Sequence, residues 1–353
     1  MKYKRFSEKA FQDAHGFKIS TKLTAQRPIV NGYTIDGPES KDLDDGIYIT
    51  KTKEGYKIEV SIIDIAELIT KDRPLFEEAL DRVETKYLPK FNFPMLPKVL
   101  SENKLSLLPG DFRPAITYNI EIDKNAEIID FNLKETAFRN IRKTTYEEFD
   151  KIANEKKFNP DNQLFREMYF LAEGFMKKRR NKGALAVYDL KKGIYTSEEG
   201  IIQAIPKKKA NKGNIVVQEF MILANKAFCK YCIENDIPIL FRNHEPRQSA
   251  PERDEILQQL EFALSNQNYL SSLMERSSLW FQRADYGPVL KGHFGLNEPA
   301  YTHSTSPIRR VADLVNHQQI KAFLNNKELP YTIEELSEIS ENINAKLEQQ
   351  KKE

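Results

Sequence analysis

Near its start the chain places alternating apolar and polar residues on both sides of an acidic stretch. Tyr33, Thr34 and Ile35 lead into it, Ile47, Tyr48 and Ile49 lead out, and Gly37 and Pro38 force a turn between them. The pattern predicts strand, sharp loop, strand. A second alternating run, Tyr56 to Ile63, predicts a strand that ends at Asp64, and Ala115 to Ile122 with Ile128 to Leu133 predict a strand pair. Pro74 to Val83 suits a helix with proline in its first turn. From Tyr87 to Leu108 the residues are apolar and proline-rich, and Pro89, Pro94 and Pro97, with Pro109 just beyond, forbid a long helix. That span is expected to be ordered but irregular, draped over the core.

From Tyr146 onward the period becomes helical. Tyr146 to Glu155 predicts a short helix, and Asn162 to Lys182 a long one that closes on a basic run with Gly183 as its stop. Ala184 to Tyr188 and Gly200 to Ile205 read as strands, Ile215 to Asn235 as a long amphipathic helix, and Ile239 to Arg242 as a short strand. Helices follow at Pro251 to Ser265 and Ser271 to Phe281, then a strand running into a loop at His293 to Tyr301. Ile308 to Leu324 is expected to be helical behind Pro307, with a last helix opening at Thr332. Residues 1–26 read as a basic N-terminal extension with a short helix at Ser7 to His15. No repeat or flexible linker interrupts the rest, so 27–353 is expected to form one α+β domain whose mixed or antiparallel sheet is packed with helices.

Composition narrows the function classes. The 353 residues are 40% hydrophobic and 30% charged, enough apolar material for a sizeable core. A net charge of +2 excludes a polycation, so any nucleic-acid surface must come from local basic runs such as Lys177 to Lys182 and Lys207 to Lys212. Cys229 and Cys232 fall on a helical pattern with no second pair, which favours packing over zinc or redox chemistry. There is no leader-like segment and no apolar run near membrane-spanning length, so a cytoplasmic protein with no membrane association is expected.

The acidic stretch carries the candidate chemistry. Asp36, Asp42, Asp44 and Asp45 crowd one loop, and Asp44 and Asp45 are sequence neighbours. Like charges so close raise each other's pKa unless a cation sits among them. Hard divalent ions bind carboxylate and phosphate oxygens together, so the cluster suggests an open metal site. For a D-x-D-D motif in isolation, a solvated acidic loop is the alternative.

A second block, Gly292 to His317 (GHFGLNEPAYTHSTSPIRRVADLVNH), has to be read with the first. Together with the proline-rich run, VVQEFMILAN (Val216 to Asn225) and LFRNHEP (Leu240 to Pro246), these blocks resemble the catalytic RNB domain of the ribonuclease II and ribonuclease R family, from about Arg27 to Glu353. The resemblance implies an RNB-type domain folded around an RNA channel. It further implies a 3′-to-5′ exoribonuclease that needs Mg2+, with Mn2+ as a substitute, and releases nucleoside 5′-monophosphates from single-stranded RNA. Carried over by position, Asp36, Asp42, Asp44 and Asp45 match the family's four acidic residues around the metal site, and Arg309 matches an arginine beside the scissile phosphate. Among the four, Asp36, Asp42 and Asp45 are read mainly as metal ligands, and Asp44 as the catalytic position that orients the attacking water or completes a metal shell. Tyr87 matches a base-stacking aromatic, Tyr146 and Glu219 match positions that select ribose, and Glu348 matches a further channel glutamate. Arg310 is read as structural or as a second phosphate contact.

This sequence departs from the family in two places. A second clamp aromatic aligns with Val187, while Tyr188 stands one residue along, which in a strand reverses the face. Family members usually carry flanking OB-type RNA-binding domains, for which this chain has no room. A protein partner supplying such domains, and a narrower substrate such as the 3′ tails of tRNA precursors, are therefore expected. A non-catalytic RNA-binding scaffold of the same fold is the competing reading. His293, His303 and His317 are spaced too widely for a metal triad and are expected to orient loops.

Overall fold

The two runs that flank the acidic stretch become adjacent strands of a closed barrel. The protein is described by a computed structural model over residues 5–19, 24–88, 91–156, 159–185, 188–190, 193–197, 200–205 and 211–351. The first strands are β1 (Ile29–Asp36), β2 (Asp45–Lys51) and β3 (Gly55–Ile63). A small ribbon, β4 (Lys86–Tyr87) with β5 (Asn92–Phe93), precedes the long β6 (Phe112–Asp123) and β7 (Ile128–Thr145). The barrel order is β1-β2-β3-β6-β7. Its neighbours are antiparallel except β1 and β7, which run parallel from Ile29 opposite Ala137 to Asp36 opposite Thr145. Closure depends on β7 continuing well past Leu133, where the alternating pattern ends. Beyond that point Lys134, Glu135, Arg139 and Arg142 interrupt the apolar period, yet Ala137 and Phe138 are buried. The sheet is therefore mixed, as expected, but has no free edge between β1 and β7.

Nine helices are described. They are α1 (Glu8–Gly16), α2 (Pro74–Arg82), α3 (Tyr146–Asn154), α4 (Pro160–Asn181), α5 (Lys212–Glu234), α6 (Arg253–Ser265), α7 (Gln267–Ser277), α8 (Val311–Leu324) and α9 (Ile333–Lys351). Helices α3, α4 and α5 pack on one another, and their Phe149, Phe165, Phe220 and Phe228 share a core with barrel residues Ile35, Ile47, Val60 and Tyr118. Cys229 and Cys232 are buried in that core as free thiols. A second core joins α1, α2, α8 and α9 to the proline-rich span through Phe76, Met95, Leu107, Ile308, Leu314 and Leu336. Helix α1 contributes Ala10 and Ala14 to it, and an Asp13–Arg73 ion pair ties α1 to the start of α2.

Several boundaries differ from the sequence expectation. Helix α7 occupies Gln267–Ser277 rather than 271–281, with the Asn266 side chain capping its first turn. Of the strand expected at Ala184 to Tyr188, Ala184 and Leu185 are not in a strand and Tyr188 opens β8 (Tyr188–Asp189), which forms a three-stranded sheet with β9 (Ile194–Thr196) and β10 (Ile202–Ala204). Val187 and most of the basic run at 207–212 lie outside the described residues. Strand β11 (Phe241–Asn243) pairs with β12 (Asp285–Gly287). The π-helical turn Leu100–Lys104 was not foreseen.

Candidate active site

Asp36 is the last residue of β1 and Asp45 the first of β2, so the barrel itself brings the two ends of the acidic loop together. Between them Leu43 is fully buried in the second core. Its N–H donates to Ser106 Oγ at 3.0 Å, and its carbonyl accepts from the Leu107 N–H at 3.0 Å. The end of the proline-rich span thus fixes the loop, and an apolar anchor separates Asp42 from Asp44.

Asp44 is buried, its Oδ1 accepting the Ile308 N–H at 2.8 Å. Its Oδ2 lies 3.6 Å from Arg309 Nε and takes no hydrogen bond among the described residues. Burial pushes the Asp44 carboxyl well above its ordinary range, against the opposing pull of Arg309. Burial and the charge of Asp44 raise Asp36 to about 7, with Lys143 acting in the opposite direction. Burial and the charge of Asp36 raise Asp45 to about 8. Asp36, Asp44 and Asp45 each feel a neighbouring carboxylate, and a cation among them would offset that repulsion.

Two tyrosines border the cluster, and a third stands beside the second of them. The Tyr87 hydroxyl donates to Asp42 Oδ2 at 2.5 Å while its ring stays half exposed. Tyr146 opens α3 directly after Thr145, the residue paired with Asp36, and a capping box of Thr145 and Glu148 fixes that junction. Burial, followed by the charges of Asp36 and Asp45, pushes its hydroxyl up. Tyr188 also acts on Tyr146, and stands with its ring centroid 5.7 Å from that of Tyr195. Desolvation raises the Tyr188 hydroxyl to about 12.

Arg309 does not sit in the first turn of a helix, as the sequence suggested. Helix α8 starts at Val311, and Arg309 lies in the turn before it, whose N–H donates to the Ser306 carbonyl at 3.2 Å. Arg310 is the N-cap in extended conformation, and its side chain turns to Asp313. It makes a two-pronged pair with Asp313, at 2.8 Å from Nε and 2.7 Å from Nη2. Asp313 Oδ1 also accepts the Ser306 N–H at 2.8 Å, so this carboxylate braces the whole turn.

Glu219 and Glu348 are the two remaining sequence candidates. Glu219 is buried on α5 and paired with Arg179 of α4, Nη2 to Oε1 at 2.5 Å. The two line a cavity of about 250 Å³ with Ala126 and Ile128, at the opposite end of β7 from the Thr145–Asp36 pair. The partner that the structure displays for Glu219 is thus an arginine. Glu348 is exposed near the end of α9, where its neighbours Leu347 and Gln350 contact Arg283 and Arg82. The histidines are structural: His303 Nδ1 meets the Tyr286 hydroxyl at 2.8 Å, His317 Nε2 meets the Ser304 carbonyl at 2.6 Å, and His293 Nδ1 accepts the Leu296 N–H at 3.2 Å.

Lys143 was overlooked in the sequence. Its ammonium donates to the Ser40 carbonyl at 2.5 Å and supplies positive charge beside Asp36. The only signal for it was its place near the end of a strand whose length the pattern hid. Among the described residues, the acidic group whose ligand oxygens all lie within 4.8 Å of one another is Asp64, Glu67 and Glu135. Lys321 and Arg27 already occupy it, at 2.6 Å and 3.1 Å from Asp64 Oδ2. Lys321 holds Asp64 below the ordinary carboxylate range despite burial. The aspartate loop, by contrast, offers only hard oxygen donors, one of them a buried and unsatisfied oxygen, and fits a hard divalent cation.

The barrel thus sets hard oxygen donors on one loop opposite a permanently charged arginine. The RNB domain model matches residues 28–326, and the chain belongs to the RNB domain family. It is 30% identical to ribonuclease R of Thermotoga maritima over 338 residues, covering 87% of this chain and 47% of that protein. With ribonuclease R of Chlamydia muridarum it shares 30% identity over 312 residues, 81% of this chain and 44% of that one. The chain therefore spans about half the length of the curated relatives it matches. Among solved structures, Mycoplasma genitalium RNase R in complex with ribose-methylated single-stranded RNA superposes with a TM-score of 0.81 at 22% identity, covering 97% of this chain and 59% of that one. Yeast Ssd1, a pseudonuclease, shares the fold with a TM-score of 0.71 at 17% identity, over 93% of this chain and 44% of that one. No helix among the described residues is long and apolar enough to cross a membrane.

Proposed function

We propose that this protein is a 3′-to-5′ exoribonuclease that hydrolyses single-stranded RNA to nucleoside 5′-monophosphates with Mg2+, or Mn2+ in its place. The observation that carries the reading is the juxtaposition of Asp44 Oδ2 and Arg309 Nε at 3.6 Å beside Asp36 and Asp45. In the reaction a water oxygen bonds to phosphorus, the P–O3′ bond breaks, and the shortened chain keeps the 3′ oxygen, which takes up a proton. Asp36, Asp42 and Asp45 would hold the cations. When bound, a pair of such ions lowers the pKa of water and neutralises the leaving oxygen.

The chain's own residues do the rest. Asp44 is fixed through Oδ1 by the Ile308 N–H, which leaves Oδ2 to orient the attacking water. Arg309 supplies a planar, permanently charged fork for phosphate oxygens whose charge grows in the transition state. Tyr87 and Tyr146 offer ring faces to the terminal bases, a contact that tolerates any sequence. Tyr188 completes the aromatic border in place of the clamp residue aligned with Val187.

The substrate inferred is an RNA 3′ tail, such as that of a tRNA precursor, in the cytoplasm, with a protein partner contributing further RNA-binding domains. The scaffold reading is kept alive by the fold alone, since a pseudonuclease shares it. The intact aspartates and Arg309 favour catalysis. Chromatography of products from matched RNA and DNA oligonucleotides tests the proposal. Nucleoside 5′-monophosphates from RNA alone are expected; oligonucleotide products, or equal cleavage of DNA, would overturn it.

A further inference from the structure

Val83, just after α2, has φ 68° and ψ −54°. A β-branched side chain is costly at positive φ, and such an outlier persists only where its surroundings over-determine it. Here the surroundings are the turn that carries Arg309. The Val83 carbonyl accepts the Val311 N–H at 2.9 Å, and the Thr85 N–H donates to the Arg309 carbonyl at 2.9 Å. Glu84 faces Arg310 between them as an antiparallel bridge. The Thr85 hydroxyl oxygen then accepts the Met95 N–H at 2.9 Å, and the next residues form the ribbon that carries Tyr87.

We infer that residues 83–85 are a strained backbone clamp that sets the position of Arg309 over Asp44 and ties it to Tyr87. The clamp grips Arg309 by its main chain and leaves the guanidinium to meet phosphate. It rests on the exoribonuclease reading for its purpose but not for its existence. Val83, Thr85 and Val311 are positioning residues; none touches the reacting atoms.

Val311→Pro tests this, with the Val83 variants below beside it because Val311 is buried in the second core. Position 311 opens α8, where proline is tolerated, and Arg310 before it is already extended at φ −137° and ψ 124°. The substitution removes the N–H that Val83 holds. On RNA, kcat is expected to fall about tenfold or more with KM within about twofold, because a small misplacement of a catalytic group is costly. In an Arg309→Ala background the same substitution should cost nothing further. Equal loss in both backgrounds, or an unchanged kcat, would overturn the clamp.

Two stability readouts stand apart from activity. Val83→Gly should melt higher than Val83→Ala, since only glycine accepts the positive φ without strain, and the reverse order would contradict it. Hydrogen exchange at the Thr85 amide should quicken in Val311→Pro, and unchanged protection would contradict it. If the wild-type protein shortens no RNA, the nuclease reading fails while these two readouts still decide the clamp. Should Val311→Pro not fold, the Val83→Gly and Val83→Ala order decides it.

Discussion

At the scale of single residues, Arg309 and Tyr87 each combine two properties that substitution can separate. Arg309→Lys keeps the charge but loses the planar fork, so kcat is expected to fall on the order of a hundredfold with KM little changed. A wild-type kcat would make Arg309 a mere counter-charge to Asp44. For Tyr87 the ring and the hydroxyl face different partners. Tyr87→Ala should weaken RNA affinity by about 1–3 kcal/mol. Tyr87→Phe should keep RNA affinity but alter divalent-cation affinity, because only the hydroxyl touches Asp42. Calorimetric titration with the metal and with RNA separates the two effects. The four aspartates were legible from their crowding on one loop, whereas Arg309, Tyr87 and Tyr146 were candidates only through the resemblance to the RNB family. Arg310 and Glu219 show why spacing has limits: their partners, Asp313 and Arg179, decide their roles, and Arg179 lies forty residues from Glu219.

At the scale of elements, strand packing and helix pairing make their own demands. A Cβ on Gly46 would lie 2.2 Å from Phe138 Cζ, because the ring of Phe138 covers β2 where Gly46 sits. Gly46→Ala should therefore destabilise the barrel by about 1–3 kcal/mol, and Phe138→Leu should recover part of it. Unfolding in denaturant measures both. Arg179→Met would leave Glu219 as an uncompensated buried charge, at a cost of about 3–5 kcal/mol. Glu219→Gln should lower Tm and leave the RNA-to-DNA preference unchanged; a lost preference with normal Tm would return Glu219 to the substrate. The strands around the acidic loop were legible because a half-buried strand advertises period two. The second half of β7 was not, since its outward charges mask the buried Ala137 and Phe138. The start of α8 was misplaced because Pro307 looked like a first-turn proline, whereas the bond from the Ser306 N–H to Asp313 folds a turn ahead of the helix.

At the scale of the whole molecule, the acidic cluster links stability to pH and to cations. Asp36 and Asp45 have folded-state pKa values raised to about 7 and about 8. An unfolded aspartate titrates near about 4. Both groups therefore favour the folded state at low pH, and that contribution is lost as pH rises through neutrality. In chelator, Tm should decline through these groups from about pH 5 to pH 9. Mg2+ should raise Tm more at pH 8 than at pH 5, and the difference should vanish in Asp36→Asn. A cation effect independent of pH would contradict the cluster as its site. The barrel closure and the double layer of helices arise from long-range pairings, such as β1 with β7, that no local pattern announces.

The most direct measurement is a time course of 5′-labelled single-stranded RNA with Mg2+, run beside Asp44→Asn. Wild type should yield a ladder that shortens from the 3′ end, and the variant, nearly isosteric but uncharged, should leave the RNA intact. Equal ladders from both proteins, or an intact substrate with wild type, would contradict the assignment of Asp44 and Arg309 as the catalytic pair.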